Sequence, residues 1–372
     1  MTIDQKPLLI IGAGLTGSLI ALALARLRPE VEFLLIEQGP RFGGGPVPPF
    51  FASSVAPVNR WLTDSLIVGE WDTYHVAALG LSRTFADGVA LMIPEQLHAE
   101  VLQAVPAERV RLRTKVVHVD RNGALLMSGE VLDASLILDA RGGPANPPAA
   151  QVWCQTTDRT FRFPQQHGLS RPILVDATLP ESSWAFLQYL PLAPDSLLVR
   201  YIRYSADDSL RAVQDESGYS DGGRLVSESV TCRPLLADTS SRPSGGHGLC
   251  VDVRASSVEL WHPILSSPVA GAVSLALAVA GAAPSDPRDL ASRIGKLEAR
   301  ARDHQRQFAD VIRAFGSDLA YTRSRALRAF YGLSPDAVAR VDAGNASAGD
   351  IRGLEENLQT ARRDQGGGSA PP

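Results

Sequence analysis

The sequence predicts an α/β protein in which a parallel-sheet domain is joined to an antiparallel-sheet domain and a helical C-terminal extension. The first observation is an N-terminal unit, in which the apolar runs Leu8–Ile11 and Phe33–Ile36 flank a glycine turn and the helix-forming segment Leu15–Leu27. The second is the alternation of apolar and polar residues from about 151 to 235, which is typical of antiparallel strands. The third is the helix-like, Arg-rich stretch 286–331.

Further elements of the first domain follow the N-terminal unit in chain order. Residues 38–57 are rich in Gly and Pro and predict a loop. A short helix is expected near Leu97–Val105, and the expected strands are Val110–Val119, Ala124–Leu126, Ser135–Leu138, Leu249–Val253 and Val258–Trp261. An apolar helix is expected near Val269–Ala280. Within the alternating stretch, Trp184–Tyr189 and Leu197–Tyr204 are the clearest predicted strands.

Composition excludes several classes of protein. Of the 372 residues, 45% are hydrophobic and 20% are charged, so the chain can bury a sizeable core and is not wholly disordered. The net charge of −4 argues against a nucleic-acid-binding protein. Cys154, Cys232 and Cys250 are widely spaced and form no CxxC pair, which excludes a disulfide framework and a thiolate zinc site.

Two apolar segments bear on location. Pro7–Ala25 resembles a signal peptide, but glycines interrupt it and no clean cleavage site follows. Pro268–Ala283 is shorter than the ~20 residues that a spanning helix needs. We therefore expect a cytoplasmic protein, and peripheral membrane contact stays open if the substrate is apolar.

The turn after the first strand fits the pattern GxGxxG, as Gly12-Ala13-Gly14-Leu15-Thr16-Gly17. Gly12 would make the tight turn, Gly14 would admit a pyrophosphate, and Gly17 would let the helix lie close to the sheet. The backbone N–H groups at Leu15 and Thr16 belong to the helix N-terminus, which attracts phosphate. Glu37 ends the next strand, where a carboxylate accepts a hydrogen bond from a ribose hydroxyl.

The motif alone does not separate FAD from NAD. Its N-terminal position and the later strand ending at Asp139, followed by Gly142, favour FAD, and we include both residues among the candidate cofactor-binding residues. The predicted organisation is a discontinuous Rossmann-like FAD-binding domain and an antiparallel-sheet substrate domain, then a helical extension and a disordered tail. The FAD-binding domain comprises residues 1–150 and 246–285, and the substrate domain comprises residues 151–245. The helical extension spans residues 286–362, and the tail spans residues 363–372.

Several short motifs follow one another in a specific order along nearly the whole chain. They are Gly12–Gly17, Arg60-Trp61-Leu62, Leu136–Gly142 (LILDARG), His167–Pro172 (HGLSRP), Asp176-Ala177-Thr178, Tyr189–Pro194 (YLPLAP), His262-Pro263 and Phe330–Leu333 (FYGL). In this order the chain resembles the bacterial-type lycopene β-cyclases, which are flavoproteins. The resemblance implies an FAD that is bound but not consumed, and a redox-neutral, acid-initiated cyclisation of a polyene end.

The reacting end departs from that family. Where the family carries an acidic pair on the strand after the LPL segment, this chain carries Arg200 and Tyr201. Arginine stays protonated and cannot donate a proton to an alkene. His262-Pro263 is also followed by Ile264–Pro268 instead of the family's Thr-Gly-Tyr-Ser-Leu-Pro loop. Lycopene cyclisation by the family mechanism is therefore not expected.

The altered residues predict a cyclase for a conjugated polyene or polyketide-like substrate of secondary metabolism. Arg200, Tyr201 and His262 are the candidate catalytic residues. Arg200 would hold an acidic head group, and ring closure by a pericyclic route or a conjugate addition needs no strong acid. Alternatively, Arg200 is structural and pairs with an acid such as Asp176. Arg203, three residues further on the same strand, would point to the opposite face.

Two other classes of function stay open. One is an FAD-dependent oxidoreductase or monooxygenase on the same scaffold. The other is a non-catalytic protein that binds an apolar acid. A hydrolase has little support, because the chain contains no GxSxG elbow.

Overall fold

The computed structural model describes residues 6–120, 123–141, 150–178, 185–213, 221–237, 250–253, 268–282, 287–307, 320–342 and 345–363. Within these ranges the chain forms eighteen strands and seven α-helices. The strands are β1 Leu8–Ile11, β2 Phe33–Ile36, β3 Phe50–Phe51, β4 Ile67–Trp71, β5 Tyr74–Ala78, β6 Leu81–Phe85, β7 Val89–Met92, β8 Val110–Arg111, β9 Val116–Val119, β10 Gly123–Leu126, β11 Val131–Asp133, β12 Leu136–Asp139, β13 Ala150–Arg162, β14 Ile173–Ala177, β15 Phe186–Ala193, β16 Ser196–Ser205, β17 Arg224–Ala237 and β18 Cys250–Asp252. The helices are α1 Leu15–Leu27, α2 Pro94–Ala104, α3 Pro268–Gly281, α4 Pro287–Gln307, α5 Ala320–Tyr331, α6 Pro335–Asp342 and α7 Ala348–Arg363.

A five-stranded parallel sheet contains the N-terminal unit, with strand order β18-β12-β1-β2-β8. Strands β1, β2 and β12 are buried along their whole length, because both faces of the sheet are covered. Helices α1 and α3 pack against each other over one face, and the antiparallel sheet β11-β10-β9 packs on the other. The predicted strand–helix–strand unit is confirmed, and β1, α1 and β2 have the predicted bounds.

The second large sheet has seven strands in the order β17-β13-β16-β15-β14-β5-β6. Its neighbours are antiparallel except for β14 and β5. One face packs with β3, β7 and helices α5 to α7 in a large apolar cluster. The opposite face forms a smaller apolar cluster around Tyr189 and Tyr201.

Two of these strands come from an early part of the chain. β5 and β6, between residues 74 and 85, pair with each other, and β5 also pairs with β14. The sheet therefore draws on residues on both sides of the boundary predicted near residue 150. In this hairpin the residues of Tyr74–Ala78 are alternately buried and half-buried, and Gly80 in the turn adopts φ +74°. The predicted strand Val110–Val119 is divided into β8 and β9 around Arg113, which adopts φ +54°.

The C-terminal helices complete the apolar cluster on the seven-stranded sheet. Arg83 on β6 donates through Nη1 to the backbone oxygens of Tyr331 (3.0 Å) and Leu333 (2.9 Å). The rings of Phe85 and Tyr331 lie 5.7 Å apart. Across the described ranges, no helix is both long enough and apolar enough to pass through a membrane, and the apolar α3 has 14 residues. The predicted strand Val258–Trp261 and residues 364–372 lie outside the described residues.

Candidate active site

The turn between β1 and α1 depends on two glycines. Gly12 has φ +93°, a backbone conformation that residues with a Cβ rarely adopt, and an added Cβ would lie 2.7 Å from the Arg141 backbone nitrogen. A Cβ on Gly17 would lie within 2 Å of the Gly12 carbonyl oxygen. Both glycines therefore permit close packing of the turn, the helix and the end of β12.

Gly14 has a different environment, because it borders open space. A Cβ built on Gly14 meets no atom within 4 Å. Gly14 is also the N-cap residue of α1 and provides no side-chain cap for the first-turn N–H groups. Helix N–H groups without a capping side chain, next to an unobstructed glycine, fit a phosphate group.

Glu37 lies at the end of β2 beside this turn. Its carboxylate accepts hydrogen bonds from the backbone N–H of Ala13 and of Gly39, each at 2.8 Å. These two bonds orient the carboxylate, and each oxygen keeps a further lone pair for a ribose hydroxyl. The predicted contact of Glu37 with a ribose stays a prediction.

Asp139 is buried at the end of β12, and its carboxylate is bound to Arg141. The Arg141 Nε and Nη2 donate to the two carboxylate oxygens at 2.9 and 2.7 Å. Arg141 Nη1 also donates to Val116 O at 3.4 Å, which ties this residue to β9. Asp139 therefore organises the chain beside the turn, and its predicted contact with a cofactor stays a prediction. Gly142 lies outside the described residues.

The segment Gly43–Val47, which we call the glycine loop, links this turn to the seven-stranded sheet. Gly43 donates its N–H to Ala13 O at 2.7 Å and forms a bridge with Gly14. At the far end of the loop, a Cβ on Gly45 would lie 2.5 Å from Arg233 Nη2, and Val47 O accepts from Arg200 Nη1 at 3.0 Å. The glycine loop thus connects the turn between β1 and α1 to the face of the seven-stranded sheet that carries Arg200 and Arg233.

A row of four polar side chains crosses that sheet face. Strand register places Gln188 beside Arg200, Arg200 beside Asp158, and Asp158 beside Ser229. Residues directly opposite in neighbouring strands share a face, so these four form one line across β15, β16, β13 and β17. We call this line the polar row.

Arg200 is 2% exposed and forms a two-pronged ion pair with Asp158. Its Nε and Nη2 each donate to one carboxylate oxygen at 2.7 Å. The structural partner expected from the sequence, Asp176, instead accepts from the backbone N–H and the hydroxyl of Thr178. The correct acid is therefore Asp158, because strand register rather than sequence distance determines which carboxylate lies opposite Arg200.

Tyr201 and Arg200 lie on opposite faces of the sheet, as neighbours on a strand do. Tyr201 is 1% exposed and packs in the small apolar cluster with Tyr189 and Val199. Arg203 shares that face and donates to Ser209 O at 2.9 Å. The structure therefore does not bring Tyr201 and Arg200 together on one face, as the choice of both as catalytic residues requires.

Other titratable groups surround the polar row on the same face. Burial raises the pKa of the Cys154 thiol to about 12 and raises the pKa of the Tyr204 phenol well above its usual value. Burial also lowers the pKa of the Arg233 guanidinium, and nearby Arg200 adds to this effect. These shifts describe a dry environment in which an ionised group needs a counter-charge or a hydrogen-bond partner.

The remaining candidates have structural surroundings or cannot be placed. His167 interacts through Nε2 with Ala193 O at 2.8 Å, and its Nδ1 accepts from the Leu169 N–H, so both ring nitrogens hold the turn in which it lies. The Trp61 ring lies under the Arg26 guanidinium at 4.5 Å and packs against the parallel-sheet core. His262 lies outside the described residues.

Asp158, Gln188 and Arg233 are not predicted by the sequence. Each is a single polar residue in an alternating strand, and local pattern does not distinguish the covered face of such a strand from a solvated one. The only available signal is an even spacing between residues of one strand, as with Asp158 and Cys154.

The glycine turn, the parallel strand order and the carboxylate of Glu37 together define an α/β protein with a Rossmann-type dinucleotide-binding domain. The family model described as lycopene cyclase protein matches residues 7–217. A lycopene beta-cyclase of Pseudescherichia vulneris is 30% identical over 366 residues, covering 93% of this chain and 92% of that protein. One of Pantoea ananas is also 30% identical, covering 92% of each. The chain belongs to the lycopene cyclase family.

Solved structures share the fold at low sequence identity. A geranylgeranyl bacteriochlorophyll reductase-like protein from Thermoplasma acidophilum has a TM-score of 0.63 at 13% identity, covering 98% of this chain and 99% of its own. The flavin-dependent monooxygenase PieE, in complex with FAD and substrate, has a TM-score of 0.61 at 14% identity, covering 98% and 72%. These likenesses show that the chain shares the overall fold of these proteins.

Proposed function

We propose that this protein is an FAD-containing cyclase that closes a ring in a conjugated polyene or polyketide-like substrate without net oxidation. Membership of the lycopene cyclase family supports a cyclisation. The observation that carries the change of substrate is the buried guanidinium of Arg200, at the position where the family resemblance expects a carboxyl. The proposed setting is secondary metabolism in the cytoplasm, and the substrate is apolar with an acidic head group.

The residues around the turn fit FAD. The N-terminus of α1, with Gly12, Gly14, Leu15, Thr16 and Gly17, would hold the pyrophosphate, and Glu37 would hold the ribose. When bound in its reduced form, the flavin would supply electron density beside the substrate, in line with the family's redox-neutral chemistry.

Arg200 would act on the substrate through hydrogen bonding. Three of its N–H groups are engaged by Asp158 and Val47, and the guanidinium has five. A remaining N–H aimed at a conjugated carbonyl would withdraw electrons from the polyene and lower the barrier to conjugate addition. Apolar side chains on the same face, such as Phe186 and Ile202, would hold the chain folded and exclude water.

Electrostatics on this face favour such a route over a carbocation route. Two guanidinium groups, Arg200 and Arg233, and one carboxylate, Asp158, lie near the glycine loop. Additional positive charge in a dry environment raises the energy of a cationic intermediate and lowers that of an electron-rich one.

A gene deletion in the source organism tests the proposal even while the substrate is unidentified. The deletion strain should accumulate an acyclic compound with the same mass as the missing product. Purified protein whose bound FAD has been reduced beforehand should convert this compound with no further consumption of NAD(P)H or oxygen. Conversion should fail in Arg200→Lys that is folded and carries FAD, because lysine retains the charge but loses the two-pronged geometry. The matched control is Arg203→Lys on the opposite face, which should retain activity.

A difference in mass between the accumulated compound and the product would favour another function. The shared fold with a flavin-dependent monooxygenase and a reductase-like protein supports an oxidoreductase as the second candidate. In that case the accumulated compound differs from the product by hydrogen or oxygen, and NAD(P)H is consumed. Tight binding with no conversion would instead identify a carrier of an apolar acid.

A further inference from the structure

The polar row ends in a buried acceptor that has no donor. Gln188 is 1% exposed, and its Oε1 has no hydrogen-bond partner among the residues that the structure describes. Leaving a buried carbonyl oxygen unpaired costs roughly as much as a lost hydrogen bond, so most such groups have a partner. The orphan oxygen therefore points to a ligand that donates a hydrogen.

The orientation of the Gln188 amide follows from its neighbour on β14. Gln188 Nε2 donates to Leu174 O at 3.0 Å. The register between β14 and β15 shifts between Ile173 and Asp176, so the backbone at Leu174 is outside the regular ladder. Reversing the amide would place Gln188 Oε1 against Leu174 O, and both atoms are acceptors. The amide group left without a partner is therefore Oε1.

A residue with several N–H donors lies on the strand next to this acceptor, with its guanidinium directed toward Asp158 and Val47. Arg200 is the cross-strand neighbour of Gln188, and the described residues engage three of its five N–H groups. Its charge is balanced by Asp158 through two bonds of 2.7 Å. An ion pair with spare N–H groups next to an unpaired carbonyl is matched to a neutral group that both accepts and donates.

We propose that Gln188 and Arg200 form the recognition site for the substrate head group, and that the head group is bound in a neutral, hydrogen-donating form. This inference rests on the proposed function and narrows its acidic head group to a protonated carboxylic acid or an enol on a conjugated chain, for which an N–H amide is a neutral mimic. Arg200 donates to the carbonyl oxygen of the head group, and the head group donates its O–H or N–H to Gln188 Oε1. Gln188 is thus a specificity-determining residue.

Access to this site requires movement. Oε1 is closed to solvent, and residues of β3 and β7, including Phe51 and Leu91, belong to the apolar cluster on this face. Binding must separate these residues from β15, which exposes apolar surface for the conjugated tail to cover.

Three retinoid probes test the inference on purified FAD-loaded protein: retinoic acid, retinamide and methyl retinoate. Their tails are identical, but the ester has no hydrogen to donate and only the acid can become an anion. We expect retinamide to bind about 10-fold or more tightly than the ester, measured by quenching of protein fluorescence. Gln188→Met should bring this ratio close to one.

The matched control is Gln155→Met. Gln155 is also 1% exposed, but it lies on the opposite face and both ends of its amide are paired, to Arg211 and Thr157. This variant should keep the wild-type ratio. Equal affinity for amide and ester, binding of the acid alone, or no saturable binding would each overturn the inference, and the ligand series on wild-type protein decides it even if a variant misfolds. If the compound that accumulates in the deletion strain differs in mass from the product, the proposed function is overturned. The preference for retinamide over methyl retinoate would be unaffected by that result.

Discussion

At the scale of single residues, the Arg200–Asp158 pair dominates the energetics of the site. Arg200 is 2% exposed and its carboxylate partner has a side chain that is 13% exposed. Two charges at this depth lose much of their hydration, and the pair is stable only because its oxygens and N–H groups are matched in geometry. Removing one partner leaves the other charge buried without compensation.

Single substitutions of this pair should therefore be more damaging than the double substitution. Arg200→Met and Asp158→Leu should each lower the free energy of unfolding by about 3–5 kcal/mol, measured by urea denaturation. The double variant replaces a buried ion pair by apolar side chains. Its free energy of unfolding should therefore fall by less than that of either single variant.

An exposed ion pair provides the comparison. Arg162 and Asp195 interact at 2.9 Å with side chains about half exposed, and the same pair of substitutions there should change stability by less than about 1 kcal/mol. Additive losses in the Arg200 and Asp158 variants would contradict the assignment of a coupled buried pair.

At the scale of elements, the β1–α1 unit separates two roles that glycine plays in one motif. Gly17 lies against the Gly12 carbonyl, so its lack of a side chain is needed for folding. Gly14 borders open space, so the fold does not require its lack of a side chain, and the proposed approach of a phosphate would.

The two glycines should accordingly differ when each is changed to Ala. Gly14→Ala should fold with nearly the wild-type melting temperature and lose most of its affinity for FAD, measured by fluorescence titration. Gly17→Ala should melt at a markedly lower temperature with or without FAD, because an added Cβ overlaps the Gly12 carbonyl oxygen. Wild-type FAD affinity in Gly14→Ala would show that the dinucleotide does not lie against this turn.

At the scale of the whole molecule, distant parts of the chain complete the parallel sheet. β18 pairs with β12, and α3 packs against α1 through residues that include Ala272, Val273 and Ala276. Without these residues, one face of α1 and one edge of the sheet are uncovered, although the N-terminal unit itself is intact.

Truncation tests this dependence. A chain of residues 1–249 should be insoluble or lack cooperative thermal unfolding, measured by circular dichroism, because the apolar face of α1 is exposed. A chain of residues 1–363 retains every described element and should unfold like the full-length protein. Cooperative unfolding of the shorter chain at the full-length temperature would show that α3 and β18 are dispensable.

Much of the first domain was predictable because its signals are local. Glycine sterics and an unbroken apolar run specify the β1 turn and a doubly covered strand within a few residues. The family relation followed from motif order along the chain. The strands β4 to β7 were not predicted, because each has only four or five residues and they differ in pattern, from the alternating β5 to the fully buried β7.

The sequence by itself determined the glycine turn between β1 and α1 and the parallel and antiparallel character of the two sheets. Only the tertiary structure decided that Arg200 pairs with Asp158, that Tyr201 lies on the other face, and that Gln188 Oε1 is left without a donor among the described residues. The reason is physical: a strand's own residues specify its alternation, whereas its neighbours and register depend on contacts between segments far apart in the chain.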